Sequence, residues 1–179
     1  PVSDSIDGIF GALHHMARIH QSGGGTGFSF SHLRPKGDLV KTTKGEASGP
    51  VSFMGIFDAA TGVIVQGGRR RGANMGILRC DHPDIMEFIE AKIDRGRFAN
   101  FNLSVGVTDR FMEAVRRNRG FDLLNPGTGK RVRTVRARTI FDLIVYGAWR
   151  TGDPGLLFLD TINRQNPTPA VGRLEATNP

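Results

Sequence analysis

The sequence predicts an α/β fold in which a mainly parallel sheet is built from strands joined by helices. Apolar stretches with the patterns of strands recur at residues 75–80, 101–107 and 156–160. Segments long enough for helices lie between them, and parallel strands need crossovers of this kind. These strands are too few to close a barrel. With no internal repeat and no evident domain boundary, residues 1–179 are predicted to form one partial domain.

The first helix is predicted over residues 3–21, with Ser3 or Asp4 as its N-cap. Glycines at 23–27 end this helix, and a short strand follows them. Residues 34–50 then form a long polar stretch, and loops of this length are usually functional or disordered. Four cations begin this stretch. They are compatible with anion binding and equally with a flexible basic loop.

Pro50 fits the first turn of a second helix, whose apolar stripe continues to residue 65. After the strand at 75–80, a further helix is predicted over residues 84–92, with Asp81 as its cap. The strand at 101–107 leads to Thr108, which with the next residue opens a helix.

Residues 118–138 form a glycine-rich, basic excursion. A strong turn signal at 125–130, flanked by short strands, predicts a peripheral hairpin. A helix over 139–150 follows. The apolar stretch at 156–160 then has the pattern of a fully buried strand. Residues 163–179 are expected to be irregular.

The composition limits the possible classes of protein. No run of 18 apolar residues is present and the start resembles no signal peptide, so no membrane span is expected. The single cysteine, Cys80, excludes an internal disulfide and a cysteine-based zinc site, and a reducing, cytoplasmic setting is expected. Cys80 itself is interpreted as a small buried residue. His14 and His15 point about 100° apart on a helix, so no metal site is predicted.

The net charge of +7 favours partners that carry phosphate. Aromatic residues are sparse at 8%, which argues against a stacking platform for nucleic acid and leaves nucleotides open. The stretch Gln-Gly-Gly-Arg-Arg-Arg-Gly-Ala-Asn-Met-Gly at 66–76 combines glycines with arginines. Glycine permits close approach of the backbone to a ligand, and arginine binds phosphate or carboxylate through two parallel hydrogen bonds. A solvated basic turn explains the same composition equally well.

Several motifs together resemble the large catalytic subunit of ribonucleotide reductase, in particular its adenosylcobalamin-dependent (class II) diphosphate reductases. The motifs occur in the family's order at residues 24–27, 33–37, 48–54, 66–76, 81–85 and 163–179. The resemblance implies the first half of a ten-stranded α/β barrel. Because the chain lacks an initiator methionine, it is expected to be an internal piece of a longer protein.

The resemblance also implies an allosteric site. The loop at 66–76 is similar to the family's specificity loop, in which Gln66 and Arg70 would read the effector and contact the substrate base. The same predicted loop includes Gly72, Ala73 and Asn74. The effector, a deoxynucleoside triphosphate or ATP, would be held by Asp4, Arg34 and Lys41. A homodimer through the helices at 3–21 and 51–65 is implied.

The family replaces the ribose 2′-hydroxyl of a ribonucleotide with hydrogen by thiyl-radical chemistry. Asn178 matches the first residue of the family's Asn-Pro-Cys-Gly-Glu active-site motif, and the resemblance implies that it is a catalytic residue, since an asparagine and a glutamate manage the ribose hydroxyls in the family. The radical cysteine would follow Pro179. A first redox cysteine would precede Pro1. The chain alone is therefore expected to be inactive, and its end fits either truncation or interruption by an intein.

The full enzyme would use adenosylcobalamin and a thioredoxin-like reductant, with diphosphate or triphosphate substrates both open. A non-catalytic basic module that binds nucleotides or RNA is the rival hypothesis. It is based on the net charge and the arginine-rich loop.

Overall fold

The computed structural model describes residues 1–40, 44–66, 70–93 and 96–179, with the backbone alone at 65, 66, 70 and 71. Within these ranges the elements follow in this order: α1 (Ile6–Gln21), β1 (Thr26–Ser29), α2 (Pro50–Val63), β2 (Val65–Gln66), β3 (Arg70–Arg71), β4 (Asn74–Arg79), α3 (Ile85–Glu90), β5 (Phe101–Val107), α4 (Asp109–Arg116), β6 (Gly120–Leu124), β7 (Arg131–Arg136), α5 (Ala137–Thr151), β8 (Gly155–Phe158) and α6 (Leu159–Arg164).

The main sheet has four parallel strands in the order β1-β4-β5-β8. Its central pair runs from Asn74 opposite Phe101 to Arg79 opposite Gly106. Helices provide the crossovers between these strands, so the predicted α/β class is confirmed. Within the described ranges β1 and β8 are the sheet edges and do not meet, as expected for part of a barrel.

Aromatic packing joins the sheet to its helices. Phe28 of β1 and the following Phe30 both meet Phe57 of α2, with ring centroids 5.1 and 5.4 Å apart. Alternate residues of a strand point to opposite faces. Phe28 therefore faces the helices, whereas Gly27 lies on the other face.

The face opposite the helices is crossed by the segment at 173–178. The Glu175 carboxylate accepts a hydrogen bond of 2.7 Å from the imidazole Nε2 of His32, just beyond the end of β1. Farther along, a Cβ added at Gly27 would lie 2.6 Å from the carbonyl carbon of Thr177. Glycine is thus required in β1 because another backbone passes directly over it.

The start of α1 differs from the prediction. Ser5, rather than Ser3 or Asp4, is the N-cap, and its hydroxyl oxygen accepts a hydrogen bond from the amide of Gly8 at 3.0 Å. Three serine or aspartate residues compete for this position in the sequence. The choice depends on tertiary structure, because the carboxylate of Asp4 is used elsewhere.

The predicted cap of α3 is also wrong. Both carboxylate oxygens of Asp81 accept hydrogen bonds from the Arg79 guanidinium, at 2.9 and 2.6 Å. The helix begins four residues later, at Ile85. The ion pair at the end of β4 therefore takes the carboxylate that local sequence assigned to the helix.

The carboxyl-terminal part of the chain holds two further differences. β8 is partly exposed rather than fully buried, because β5 alone of the described strands pairs with it. The region expected to be irregular after residue 163 begins with the end of α6. β8 is an edge strand here, and its apolar composition cannot distinguish an edge from a centre.

Residues 120–136 form the antiparallel pair β6 and β7. Phe121 and Leu123 on β6 are buried, and the Phe121 ring meets Phe111 of α4 edge-on at 5.1 Å. β7 is mostly exposed.

In the described ranges no helix combines the length and apolarity needed to cross a bilayer.

Thr108→Ala should lower the free energy of unfolding by about 1 kcal/mol. The Thr108 hydroxyl accepts the amide hydrogen of Phe111 at 3.2 Å and caps α4. Urea unfolding monitored by circular dichroism measures the change. The control is Thr139→Ala, at an exposed position inside α5, where a change below about 0.5 kcal/mol is expected. Equal losses in the two variants would contradict the capping role.

Candidate functional site

Two groups of candidate residues lie at opposite ends of α1. Because α1 and β1 run in opposite directions, the residues before α1 meet those after β1, and the end of α1 meets the start of β1. Asp4 and Arg34 therefore form one group, and Gly72–Asn74 with Asn178 form the other. The sequence motifs named these residues, but only the fold sorts them into two sites.

Asp4 and Arg34 bind each other beside a cleft. The Nε atom of Arg34 donates to one carboxylate oxygen of Asp4 at 2.9 Å, and the Arg34 amide donates to the other at 3.2 Å. Both side chains are about one third exposed. The two terminal guanidinium nitrogens of Arg34 donate to no other described residue. They remain available to an anion, because guanidinium groups offer several donors in one plane.

The cleft has a volume of about 580 Å³. One wall is the first turns of α1, and another is the loop that precedes α2. Apolar side chains line it together with the Asp4–Arg34 pair; its lining comprises Asp4, Ser5, Ile6, Ile9, Leu33, Arg34, Val40, Glu46, Ala47, Ser48, Gly49 and Phe53. An apolar pocket with few convergent polar groups is typical of small-molecule sites.

The long polar stretch that precedes α2 is partly ordered. Leu39 and Glu46 form an isolated antiparallel bridge. The Gly37 amide donates to the Ala47 carbonyl, and the Ala47 amide donates to the Asp38 carbonyl, each at 2.8 Å. Two arms of this loop therefore pair beside the cleft. Lys41, the third predicted effector contact, lies outside the described residues.

The arginine-rich loop has a short antiparallel base. Gln66 of β2 pairs directly with Arg70 of β3, and Val65 pairs with Arg71. Residues 67–69 lie outside the described ranges. β2 lies beside α1. The two residues predicted to read effector and substrate thus share one rung of a two-stranded ladder.

The carboxyl end of the loop is fixed to the sheet. Ala73 is exposed, but its carbonyl accepts the amide hydrogen of Thr26 at 3.1 Å. Asn74 is the first residue of β4 and is completely buried. Its amide donates to the Asn100 carbonyl at 2.9 Å. The structure thus places Asn74 in the sheet, where it anchors the loop instead of extending from it.

A chain of buried hydrogen bonds holds the Asn74 side chain. Thr61 of α2 donates to the Phe57 carbonyl at 2.8 Å, so its hydroxyl oxygen accepts from Asn74 Nδ2, also at 2.8 Å. Asn74 Oδ1 in turn accepts from the Thr26 hydroxyl at 2.7 Å. Each hydroxyl carries a single hydrogen, so the direction of one hydrogen bond in this chain sets the direction of the next.

His20 of α1 is the last member of this chain. Its Nε2 lies 3.1 Å from the Thr26 hydroxyl oxygen, and these two atoms share a hydrogen bond. Nδ1 has no hydrogen-bond partner among the described residues. Burial lowers the pKa of His20, and the nearby Ala73 carbonyl opposes part of that shift. His20 is therefore neutral at pH 7.

Asn178 lies at the same corner as the loop's anchored end. Its Nδ2 donates to the Gly25 carbonyl at 3.1 Å. A Cβ added at Gly25 would lie 2.8 Å from Asn178 Oδ1 and 3.4 Å from the Ala73 carbonyl oxygen. Gly25 thus brings the predicted catalytic residue within contact range of the predicted specificity loop.

A second cleft, of about 350 Å³, lies at the carboxyl ends of β1 and β4. The Arg79–Asp81 pair and Glu175 line it, together with the buried His82. His82 has a structural role: Nε2 lies 2.8 Å from the Leu33 carbonyl oxygen, and Nδ1 accepts the Asp84 amide hydrogen at 3.0 Å. No group of three or more His, Cys, Asp or Glu in the described part of the chain could hold a metal ion.

The positive charge is concentrated away from both candidate sites. Residues 116–138 contain eight Lys or Arg and one Asp, so this segment accounts for the whole net charge of +7. Some of these arginines bind protein groups: Arg133 donates to the Pro83 carbonyl and Arg136 to that of Asn118, both at 3.2 Å. The net charge therefore says little about the arginine-rich loop.

Sequence reasoning did not identify His20, Thr26 and Thr61 as parts of the site. Each is a polar residue on a helix or strand that otherwise packs against the core. A polar residue at such a position is the sequence feature that could have identified them. The fold defines the class of protein: the described residues form a parallel α/β sheet at one edge of which a loop and a returning segment meet.

The comparisons with known proteins define the family. The family model described as ribonucleotide reductase, barrel domain, matches residues 1–179, and the chain belongs to this family. The resemblance seen in the sequence motifs is thereby confirmed.

Curated relatives share this region. The chain is 59% identical to a vitamin B12-dependent ribonucleoside-diphosphate reductase of Thermoplasma acidophilum, covering 100% of the chain and 23% of that protein. A protein of the same name from Mycobacterium tuberculosis is 54% identical, with 100% and 26% covered. A vitamin B12-dependent ribonucleotide reductase of Streptomyces avermitilis is 37% identical, with 99% and 21% covered. The chain spans about a quarter of the length of these relatives.

The Cys80 thiol should not react with iodoacetamide in the native protein at pH 8. Its side chain is completely buried, and burial, together with Asp81, raises its pKa to about 12, so the reactive thiolate is scarce. Mass spectrometry of the peptide that contains Cys80 measures the modification. Urea-unfolded protein is the control and should be modified fully; rapid labelling of the native protein would contradict the burial.

Proposed function

We propose that this chain is part of a ribonucleotide reductase that converts ribonucleotides to 2′-deoxyribonucleotides for DNA synthesis. Within that enzyme it carries the effector site and the specificity loop, and residues 1–179 form half of the catalytic barrel. The observation that supports this most directly is the meeting of the loop's anchored end, Gly25 and Asn178 at one corner of the sheet.

The cleft beside Asp4 and Arg34 suits a nucleotide effector. The free guanidinium nitrogens of Arg34 can bind phosphate, and the Asp4 carboxylate can accept from a ribose hydroxyl or a base amine. Ile9 and Phe53 supply apolar surface for a base or sugar. A deoxynucleoside triphosphate or ATP combines these features, and Lys41 would add a further cation.

The loop suits the transfer of information from effector to substrate. Its glycines permit rearrangement. Gln66 and Arg70, both residue types that form hydrogen bonds, are paired across the two strands at the base of the loop. The fixed end at Gly72–Asn74 lies beside Asn178, the residue assigned to the reacting ribose. A change in the loop would therefore alter substrate binding next to the reaction centre.

A homodimer would bring the effector cleft and the loop together. In one chain they lie at opposite ends of α1. Near the start of α1 the side chains of Ile6 and Phe10, which lie one turn apart, are 62% and 47% exposed, an apolar surface suited to a partner helix. Antiparallel pairing of two α1 helices about a twofold axis places each loop near the other protomer's cleft.

The remaining parts of the activity belong to the whole protein. Because the relatives are named as vitamin B12-dependent, we assign adenosylcobalamin to the full-length enzyme, where it supplies the radical. A cobalamin is larger than either described cleft, so no described residue is assigned to it. A thioredoxin-like protein would be the reductant, and the cytoplasm, where free thiols persist, would be the setting.

Arg34→Ala should weaken binding of deoxynucleoside triphosphates by about tenfold or more, since charge-assisted hydrogen bonds to phosphate are lost. Equilibrium dialysis with the folded, dimeric full-length protein measures the dissociation constants. The matched control is Arg119→Ala, an exposed arginine without an ion pair among the described residues. Unchanged binding in Arg34→Ala would refute the assignment of the cleft.

Arg70→Ala in the full-length enzyme should lower turnover of some ribonucleotides selectively, according to the effector present. The reason is that the loop would no longer read effector and base together. Steady-state kcat/KM for each substrate with each effector measures the effect, and Arg131→Ala on the exposed strand β7 is the control. Kinetics unchanged with every effector would contradict the specificity-loop assignment. Nucleotide binding without any turnover in the wild-type protein would favour a non-catalytic binding module.

A further inference from the structure

The last turn of α1 places an imidazole against the end of the specificity loop. His20 is completely buried, although it lies three residues before the glycine-rich turn that ends the helix. Of the five histidines in the chain, His14 and His15 on the same helix are exposed. A buried polar ring needs contacts with the protein that compensate for the loss of water. The contacts of His20 include the specificity loop.

Gly72 is the loop residue that the imidazole touches. A Cβ added at Gly72 would lie 2.6 Å from Cγ and 2.8 Å from Cε1 of His20. Carbon atoms cannot approach so closely without displacement. The φ angle of Gly72 lies outside the left-handed region, so the backbone itself does not require glycine. Glycine is needed at position 72 because the His20 ring occupies the space of a side chain.

The ring cannot easily turn away from Gly72. Its Nε2 is hydrogen-bonded to Thr26 Oγ1, which is in turn hydrogen-bonded to Asn74 Oδ1. A rotated or flipped ring would break the hydrogen bond to Thr26. The same ring thus binds β1 directly, is linked to β4 through Thr26, and meets Gly72 in van der Waals contact.

The opposite end of α1 lies at the effector cleft. The helix contains 16 residues, with Ile6 and Ile9 in the wall of the cleft and His20 in its last turn. At a rise of about 1.5 Å per residue, it spans roughly 24 Å. A helix is stiff over this length, so displacement of its first turn is transmitted to its last.

We propose that His20 is a positioning residue for substrate choice, which holds the carboxyl end of the specificity loop at Gly72 so that this end moves together with α1. The inference rests on the proposed function. It adds a connection within one subunit between the effector cleft and the loop, independent of any contact across a dimer.

A double-mutant cycle in the full-length protein tests the contact itself. Gly72→Ala should lower the unfolding midpoint because the new methyl group overlaps the ring. His20→Ala removes the ring, so in the His20→Ala/Gly72→Ala double variant the added methyl should cost little or nothing further. Additive losses in midpoint would show that the two residues do not touch and would overturn the proposal.

Kinetics test the positioning role. The ratio of kcat/KM for two ribonucleotides is measured with each of two effectors. The change in this ratio from one effector to the other is the effector-dependent change. His20→Ala should reduce the effector-dependent change about tenfold, a typical size for coupling between sites. His14→Ala, at an exposed position on the same helix, should leave it unaltered.

His20→Gln keeps the assay informative if His20→Ala folds poorly. Glutamine can still form a hydrogen bond with Thr26 but lacks the ring that touches Gly72, so the effector response should fall while the unfolding midpoint stays near that of the wild type. A His20→Gln or His20→Ala enzyme that retains the full effector response overturns the positioning role alone. A wild-type enzyme that reduces no ribonucleotide, or ignores effectors, removes the proposed function and this inference with it.

Discussion

The hydrogen bonds between Asn74, Thr61, Thr26 and His20 connect α2, α1 and two strands of the sheet inside the core. Each buried hydroxyl or amide in this chain would cost about 1–3 kcal/mol if it lost its partner. The residues are therefore interdependent, and they fix the position at which the loop returns to β4. The arrangement of α1 and the loop relative to the sheet follows from this one network.

The two faces of the sheet have different tasks. Phenylalanines on one face pack against α2 and supply the apolar burial that stabilises the fold. On the other face Gly25 and Gly27 leave room for the segment that carries Asn178. Small residues on that face cost packing energy, and the returning segment restores part of it. The sheet can thus hold the returning segment close to its backbone without opening the core.

Ionic and polar groups show the limit of local sequence reasoning. The carboxylates of Asp4 and Asp81 both suit helix caps, yet each binds an arginine that tertiary structure brings near. Asn74 belongs to a motif that the sequence assigns to a loop, whereas its burial makes it a core residue. Polar side chains have several possible partners of similar energy, and the choice between them depends on residues distant in sequence.

By itself the sequence determined the parallel α/β class, most helix and strand positions and the family, because hydrophobic periodicity and contiguous motifs are local properties. The Thr108 cap and the burial of Cys80 were also predictable on these grounds. Only the tertiary structure separated Asp4 and Arg34 from Gly72 and Asn178 and brought His20 against Gly72. Those relations depend on the antiparallel course of α1 and β1 and on contacts between residues about 30 to 150 positions apart, which no local pattern encodes.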